Sequence, residues 1–222
     1  MARISVAMKE QVRGRLLETA AEQFAEKGLD GTSVDSVAVG AGFGKGTVYN
    51  YFASKEELFA EVLAEGCRQA VQRYASVPRA GSVRDCLLAL AAADVAVLRD
   101  EERFMQVVVR ETMSFRPDTY PLIVGHLAPY LRELEKVLTR GRTSGDIRGD
   151  LAPPQLALAF VGMLTVLYVQ HWGSGGTWPT LDEIAPLAVT LFLDGAAHEA
   201  PKRGRPRAPR RPRRGGGRRV IQ

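Results

Sequence analysis

Residues 40–52 read GAGFGKGTVYNYF, glycines closely spaced around a single lysine. Such a run serves either as a loop that wraps a nucleotide phosphate or as a tight turn that aims a helix end at DNA. A phosphate loop needs Gly, four residues and then Gly-Lys-Ser/Thr, set between a buried strand and a helix. Here Gly44-Lys45 runs into Gly46, and Val39 stands where the first glycine belongs. The dinucleotide pattern GxGxxG fails as well, because Thr47 occupies its third glycine. Both nucleotide readings miss, and the flanks decide for the turn.

Upstream, KEQVRGRLLETAAEQFAEKG places Val12, Leu16, Ala20 and Phe24 on one helical stripe, with Gly28 as its stop. Thr32 with Asp35 three residues on reads as a capping box, opening a short second helix that Gly42 ends. A third helix runs from about Gly44 to Phe52. Ser54 with Glu57 then caps a longer fourth helix through Leu58, Phe59, Val62 and Leu63, up to the break SVPRAGS at 76–82. Two short helices joined at a glycine between two longer ones are the sequence form of a helix-turn-helix module.

The stretch TSVDSVAVGAGFGKGTVYNYFASKEELF (32–59), with AEQFAEKG (21–28) before it, resembles the helix-turn-helix of the TetR family of transcriptional regulators. A recognition helix enters the major groove by its N-terminal end. Lys45, Thr47 and Asn50 are therefore expected to face DNA, while Val48 and Phe52 turn inward. Lys45 suits a phosphate or guanine, Thr47 a base edge or thymine methyl, and Asn50 adenine. Gly46 leaves room for close backbone approach. The resemblance further implies phosphate contacts from Tyr49, Tyr51 and Lys55, and from Thr32 and Ser33 at the start of the second helix. Two positions depart from the family pattern: Phe43 stands where Val is usual, and Gly44 replaces the Ser that commonly begins the recognition helix.

Beyond residue 82 helical spacing continues, at 82–98, 101–115, about 119–142, 153–172 and 182–198, broken at Pro- and Gly-rich loops. The fold expected is all-α, with a DNA-binding domain over 1–75, a larger helical domain over 76–198 and a tail over 199–222. The resemblance implies that the larger domain binds a small ligand and pairs with its copy in a homodimer. Helix 153–172 is apolar on nearly every face, so it lies at the domain centre or against a second chain. Surplus apolar residues Ile184, Leu187, Leu191 and Phe192 favour the dimer. For a small apolar or aromatic ligand, the candidate lining is Phe104, Val108, Met113, Phe115, Tyr120, His126, Phe160, Met163, Tyr168 and Trp172, each of which also suits an ordinary core.

The net charge of +5 is uneven: residues 199–222 hold ten basic residues and one acidic, leaving 20 basic and 24 acidic elsewhere. Within that tail, Arg203, Gly204, Arg205 and Pro206 resemble the core of an AT-hook, which draws arginine into the narrow minor groove of A·T-rich DNA. Non-specific phosphate attraction and a purely solvated tail fit the same composition. MARISVAMKEQVRGR shows no secretory apolar run, LALAFVGMLTVLYV is short for a membrane span, and Cys67 and Cys86 suit a reducing cytoplasm. No metal spacing, cofactor loop or catalytic motif is present, so double-stranded DNA and a second copy are the expected partners. Control by a protein partner instead of a ligand, and nucleoid-type binding through the tail, are the alternatives.

Overall fold

The structure is a computed structural model and describes residues 6–77, 80–114 and 116–194. Among these, nine helices and no strand occur: α1 (Val6–Gly31), α2 (Val34–Ala41), α3 (Lys45–Tyr49), α4 (Lys55–Ala75), α5 (Val83–Asp100), α6 (Glu102–Ser114), α7 (Tyr120–Ser144), α8 (Pro153–Gly173) and α9 (Leu181–Asp194). The all-α expectation holds. The AT-hook-like residues 203–206 and Phe115 lie outside the described residues.

Gly28 acts as expected. With φ of 71° it breaks α1, which resumes for one more turn to Gly31. The cap of α2 falls one residue later than the sequence suggested. Ser33 accepts the backbone N–H of Ser36 at 3.0 Å, and the Ser36 hydroxyl lies 3.3 Å from the Ser33 N–H. Thr32 is unavailable for that role because its hydroxyl is turned inward, donating to the carbonyls of Gly28 (2.9 Å) and Gln23 (3.2 Å). Gly42 closes α2 in the left-handed region at φ 78°. Ser54 caps α4 through the Glu57 N–H.

Two hydrophobic clusters form. One gathers α1 to α3 and the first half of α4, around Phe24 edge-on to Phe59 at 4.9 Å, and takes in Phe104, Val107 and Val108 of α6. The other joins α5, α7, α8 and α9 with Ala70 and Tyr74 from the far half of α4 and Met105 and Val109 of α6. Helices α4 and α6 therefore belong to both. Their crossing is tight, since a Cβ on Gly66 would lie 3.2 Å from the Cβ of Phe104.

Helix α8 is not buried on every face within the chain. Leu156, Phe160, Leu164 and Leu167 face the core, whereas Leu158 and Val166 are 62% and 58% exposed. In length and hydropathy α8 would suffice to cross a bilayer, but one face is locked into the bundle between α7 and α9. Of the apolar residues expected to be surplus on α9, Ile184 is buried, Leu187 packs on the core and Phe192 meets Phe160 edge-on at 5.1 Å. Leu191 alone of the four is outward.

Candidate DNA-binding face and effector cavity

Helix α3 begins without a side-chain cap. Gly44 occupies the cap position with an extended backbone (φ −81°, ψ 155°) that any residue can adopt, so glycine is not required there for conformation. Lys45, Gly46, Tyr49 and Asn50 are exposed, Thr47 and Tyr51 half-buried, and Val48 and Phe52 buried, as the helical geometry predicts. A Cβ on Gly46 would meet nothing within 4 Å, so its bareness serves nothing inside the described chain.

Lys45 is not idle in this state. Its ammonium reaches Asp35 on α2 at 2.8 Å, and that hydrogen bond raises the lysine pKa above its ordinary value. Both groups are more than half exposed, so the pair is weak and readily exchanged for a phosphate. Lys55 differs: its ammonium donates to the carbonyls of Leu29 (2.9 Å) and Thr32 (3.2 Å), tying α4 to the end of α1. Buried Thr32 and engaged Lys55 thus help hold the module together in the free chain, while Ser33 stays exposed at the start of α2. Two arginines that sequence reasoning passed over flank the turn, with Arg15 over Phe43 and Arg13 over Phe52, each 5.8 Å from the ring centre. Phe43, the departure from the family pattern, thereby gains a specific partner.

In the larger domain an apolar cavity of about 60 Å³ lies between α4, α5, α6, α7 and α8. It is bounded by Cys67, Val71 and Tyr74 of α4, Met105 and Val109 of α6, and Tyr130 of α7, among others. Outward it meets a more open cleft of about 380 Å³, with which it shares Cys67, Val71 and His126; Arg68, Gln72 and Pro129 line the cleft's rim. Pro129 removes one backbone hydrogen bond from α7 beside this mouth.

Of the sequence candidates, Val108, His126 and Tyr168 line the cavity. The others do not. Phe104 belongs to the cluster under the DNA-binding module, Phe160 is in the core against Phe192, and Met163 and Trp172 pack on that core. Met113 and Tyr120 are largely exposed. Helical periodicity identifies a buried stripe but cannot distinguish wall from core.

The signal that did exist was Asp94, an acid amid the apolar LLALAAADVAVL of α5. Its buried carboxylate accepts from the hydroxyls of Tyr74 and Tyr168, one on each oxygen. Burial raises its pKa, against the lowering effect of the two phenol hydrogen bonds. Burial also pushes the Cys67 thiol up to about 12, so this wall residue stays uncharged at neutral pH.

Helix α6 touches both the cavity and the DNA-binding module. Its inner face supplies Met105, Val108 and Val109 to the cavity. Its outer face holds α1, where Arg110 donates to the carbonyls of Ala25 (2.9 Å) and Glu26 (3.1 Å); beyond the end of α6, Arg116 pairs with Asp30 at 3.0 Å.

Residues 16–62, the helix-turn-helix with its flanking helices, match the model of the bacterial regulatory proteins, tetR family. The likeness runs well past that segment. Over 196 residues, 84% of this chain and 94% of its relative, the sequence is 30% identical to the HTH-type transcriptional repressor KstR2 of Mycobacterium tuberculosis H37Rv. The chain belongs to the TetR family. It is a DNA-binding transcriptional regulator rather than a member of an enzyme family. The fold agrees with solved members: FadR from Bacillus subtilis in complex with stearoyl-CoA superposes with a TM-score of 0.73 at 21% identity, covering 83% of this chain and 99% of that one. AibR in complex with isovaleryl coenzyme A and operator DNA gives 0.68 at 22% identity, covering 82% and 98%.

Proposed function

We propose that this TetR-family regulator is a cytoplasmic repressor that binds a palindromic operator as a homodimer and releases it when an acyl-coenzyme A occupies the cavity and cleft. The observation that carries the proposal is the double membership of α6. One helix walls the cavity and grips α1, so a ligand that moves α6 moves the module that carries Lys45, Gly46, Thr47 and Asn50. Coupling of this kind requires the ligand to favour the arrangement that does not fit DNA, since equal affinity for both shifts nothing.

The ligand class draws on two structural relatives whose complexes hold acyl thioesters. An apolar interior that opens to a rim bearing Arg68 and His126 suits a molecule with an apolar acyl end and a phosphate-rich remainder. The dimer draws on the outward apolar residues Leu158, Val166 and Val169 of α8 with Leu191 of α9, a patch suited to its own two-fold copy. Two copies imply two half-sites, spaced by about one helical turn or a multiple of it.

The test is sedimentation and footprinting with the full chain on the DNA upstream of its own gene. A protected palindrome holding a whole number of dimers is expected, and Leu158→Glu with Val166→Glu should yield monomers with much weaker operator binding. A monomeric wild type, or equal affinity for every duplex, would contradict it.

A further inference from the structure

The inner end of the cavity is not apolar. Four helices bring Tyr74, Asp94, Tyr130 and Tyr168 together there, in a domain whose remaining cavity walls are mostly aliphatic. Tyr74 and Tyr168 direct their hydroxyl protons to the two oxygens of Asp94. Tyr130 stacks on Tyr74, with ring centres 4.1 Å apart and planes 21° from parallel. Its side chain is 1% exposed, and among the described residues its hydroxyl has no hydrogen-bond partner.

That hydroxyl stands out because the neighbouring hydroxyl donors are committed. The Thr112 hydroxyl donates to the Val108 carbonyl at 2.8 Å and the Thr165 hydroxyl to the Val161 carbonyl at 2.9 Å, each within its own helix. The protons of Tyr74 and Tyr168 go to Asp94. A buried phenol without a partner is costly, and a ligand that brings an acceptor recovers the lost bond. We propose that the effector carries an oxygen acceptor, a carbonyl or a hydroxyl, on the part of its otherwise apolar skeleton that enters the cavity first, where the Tyr130 hydroxyl donates to it. The inference rests on the cavity being the effector site but not on the coenzyme A portion of the ligand. A site built to make such a bond discriminates strongly against the analogue that lacks it.

The competing chemistry is a cationic amine drawn to Asp94 and the three rings. Against it, each carboxylate oxygen already accepts a phenol proton, and burial favours the neutral acid.

Calorimetric titration of the full chain tests the inference with two probes of nearly equal shape, cyclohexanone and methylenecyclohexane, against wild type and Tyr130→Phe. The hydrocarbon enters the cavity more readily from water, so the informative quantity is the change each probe suffers on substitution. Loss of the hydroxyl should weaken cyclohexanone by about tenfold and leave methylenecyclohexane unchanged or tighter. Circular dichroism of Tyr130→Phe, which removes only an unpartnered atom, should match wild type. Equal changes for both probes, no saturable binding of cyclohexanone, or tighter binding of cyclohexylammonium than of cyclohexanone would overturn the inference. The effector-site reading fails separately. Acyl thioesters that release DNA from a protein whose two probes respond alike would leave that reading intact and remove this inference; the expected probe response without any effect on operator affinity would do the reverse.

Discussion

At Gly46 the free chain has space for a side chain that the sequence does not supply. Alanine there is compatible with the helix and should stabilise it by about 0.5 kcal/mol or more, because glycine is the poorer helix former. If the bare backbone faces the major groove, the same methyl group should weaken operator binding by about tenfold, on the scale of one lost base-edge contact. Melting temperature and operator affinity measured on Gly46→Ala should therefore move in opposite senses, and unchanged affinity would place Gly46 away from the groove. Asp94 supplies a second residue-scale expectation. Its folded pKa is raised by burial, so at neutral pH the folded state bears a penalty for keeping the carboxylate ionised. As pH falls through the raised folded value towards the ordinary carboxylate range, the folded chain takes up the proton first and the penalty disappears. The stability of wild type relative to Asp94→Asn should then rise as pH falls from neutrality towards the ordinary carboxylate range in chemical denaturation, and a difference that does not vary with pH would contradict the assignment.

Elements were more legible in the sequence than the contacts between them. Caps and breakers are local: Gly28, Gly42, Ser54 and the breaks at 76–82 and 116–118 each mark a real helix end, because the backbone groups they satisfy are a few residues away. The cap of α2 was displaced by one residue because the Thr32 hydroxyl is held by carbonyls of α1, a tertiary contact that local pattern does not encode. The same limit applies to the cavity. Val108, His126 and Tyr168 were found, but Tyr74 and Tyr130 join the site only through the crossing of α4, α5, α7 and α8. Arg110 carried no sequence signal at all, since its partners are main-chain carbonyls more than eighty positions earlier. Arg110→Ala should leave effector binding to the cavity within about twofold, yet reduce the effector's influence on operator affinity by about fivefold, a typical coupling between sites. Paired titrations of effector and operator would detect this, and undiminished coupling would move the link to another element.

For the whole molecule, α4 and α6 each contribute to both clusters and so join them. Both helices wall the cavity and both anchor in the core beneath the recognition helix. On the proposed reading, the exposed apolar face of α8 takes up a second copy, which would fix the spacing of two recognition helices. In the proposed mechanism, release of DNA follows from a change in that spacing, brought about by a shift of α6 against α1. The most direct check is operator affinity, measured by fluorescence anisotropy on the palindrome upstream of the gene while acyl-coenzyme A thioesters from isovaleryl to stearoyl are titrated in. At least one thioester should weaken the complex saturably by about tenfold or more, as a ligand with differential affinity for the two arrangements must. Affinity that stays constant across the whole series would contradict release by an acyl-coenzyme A.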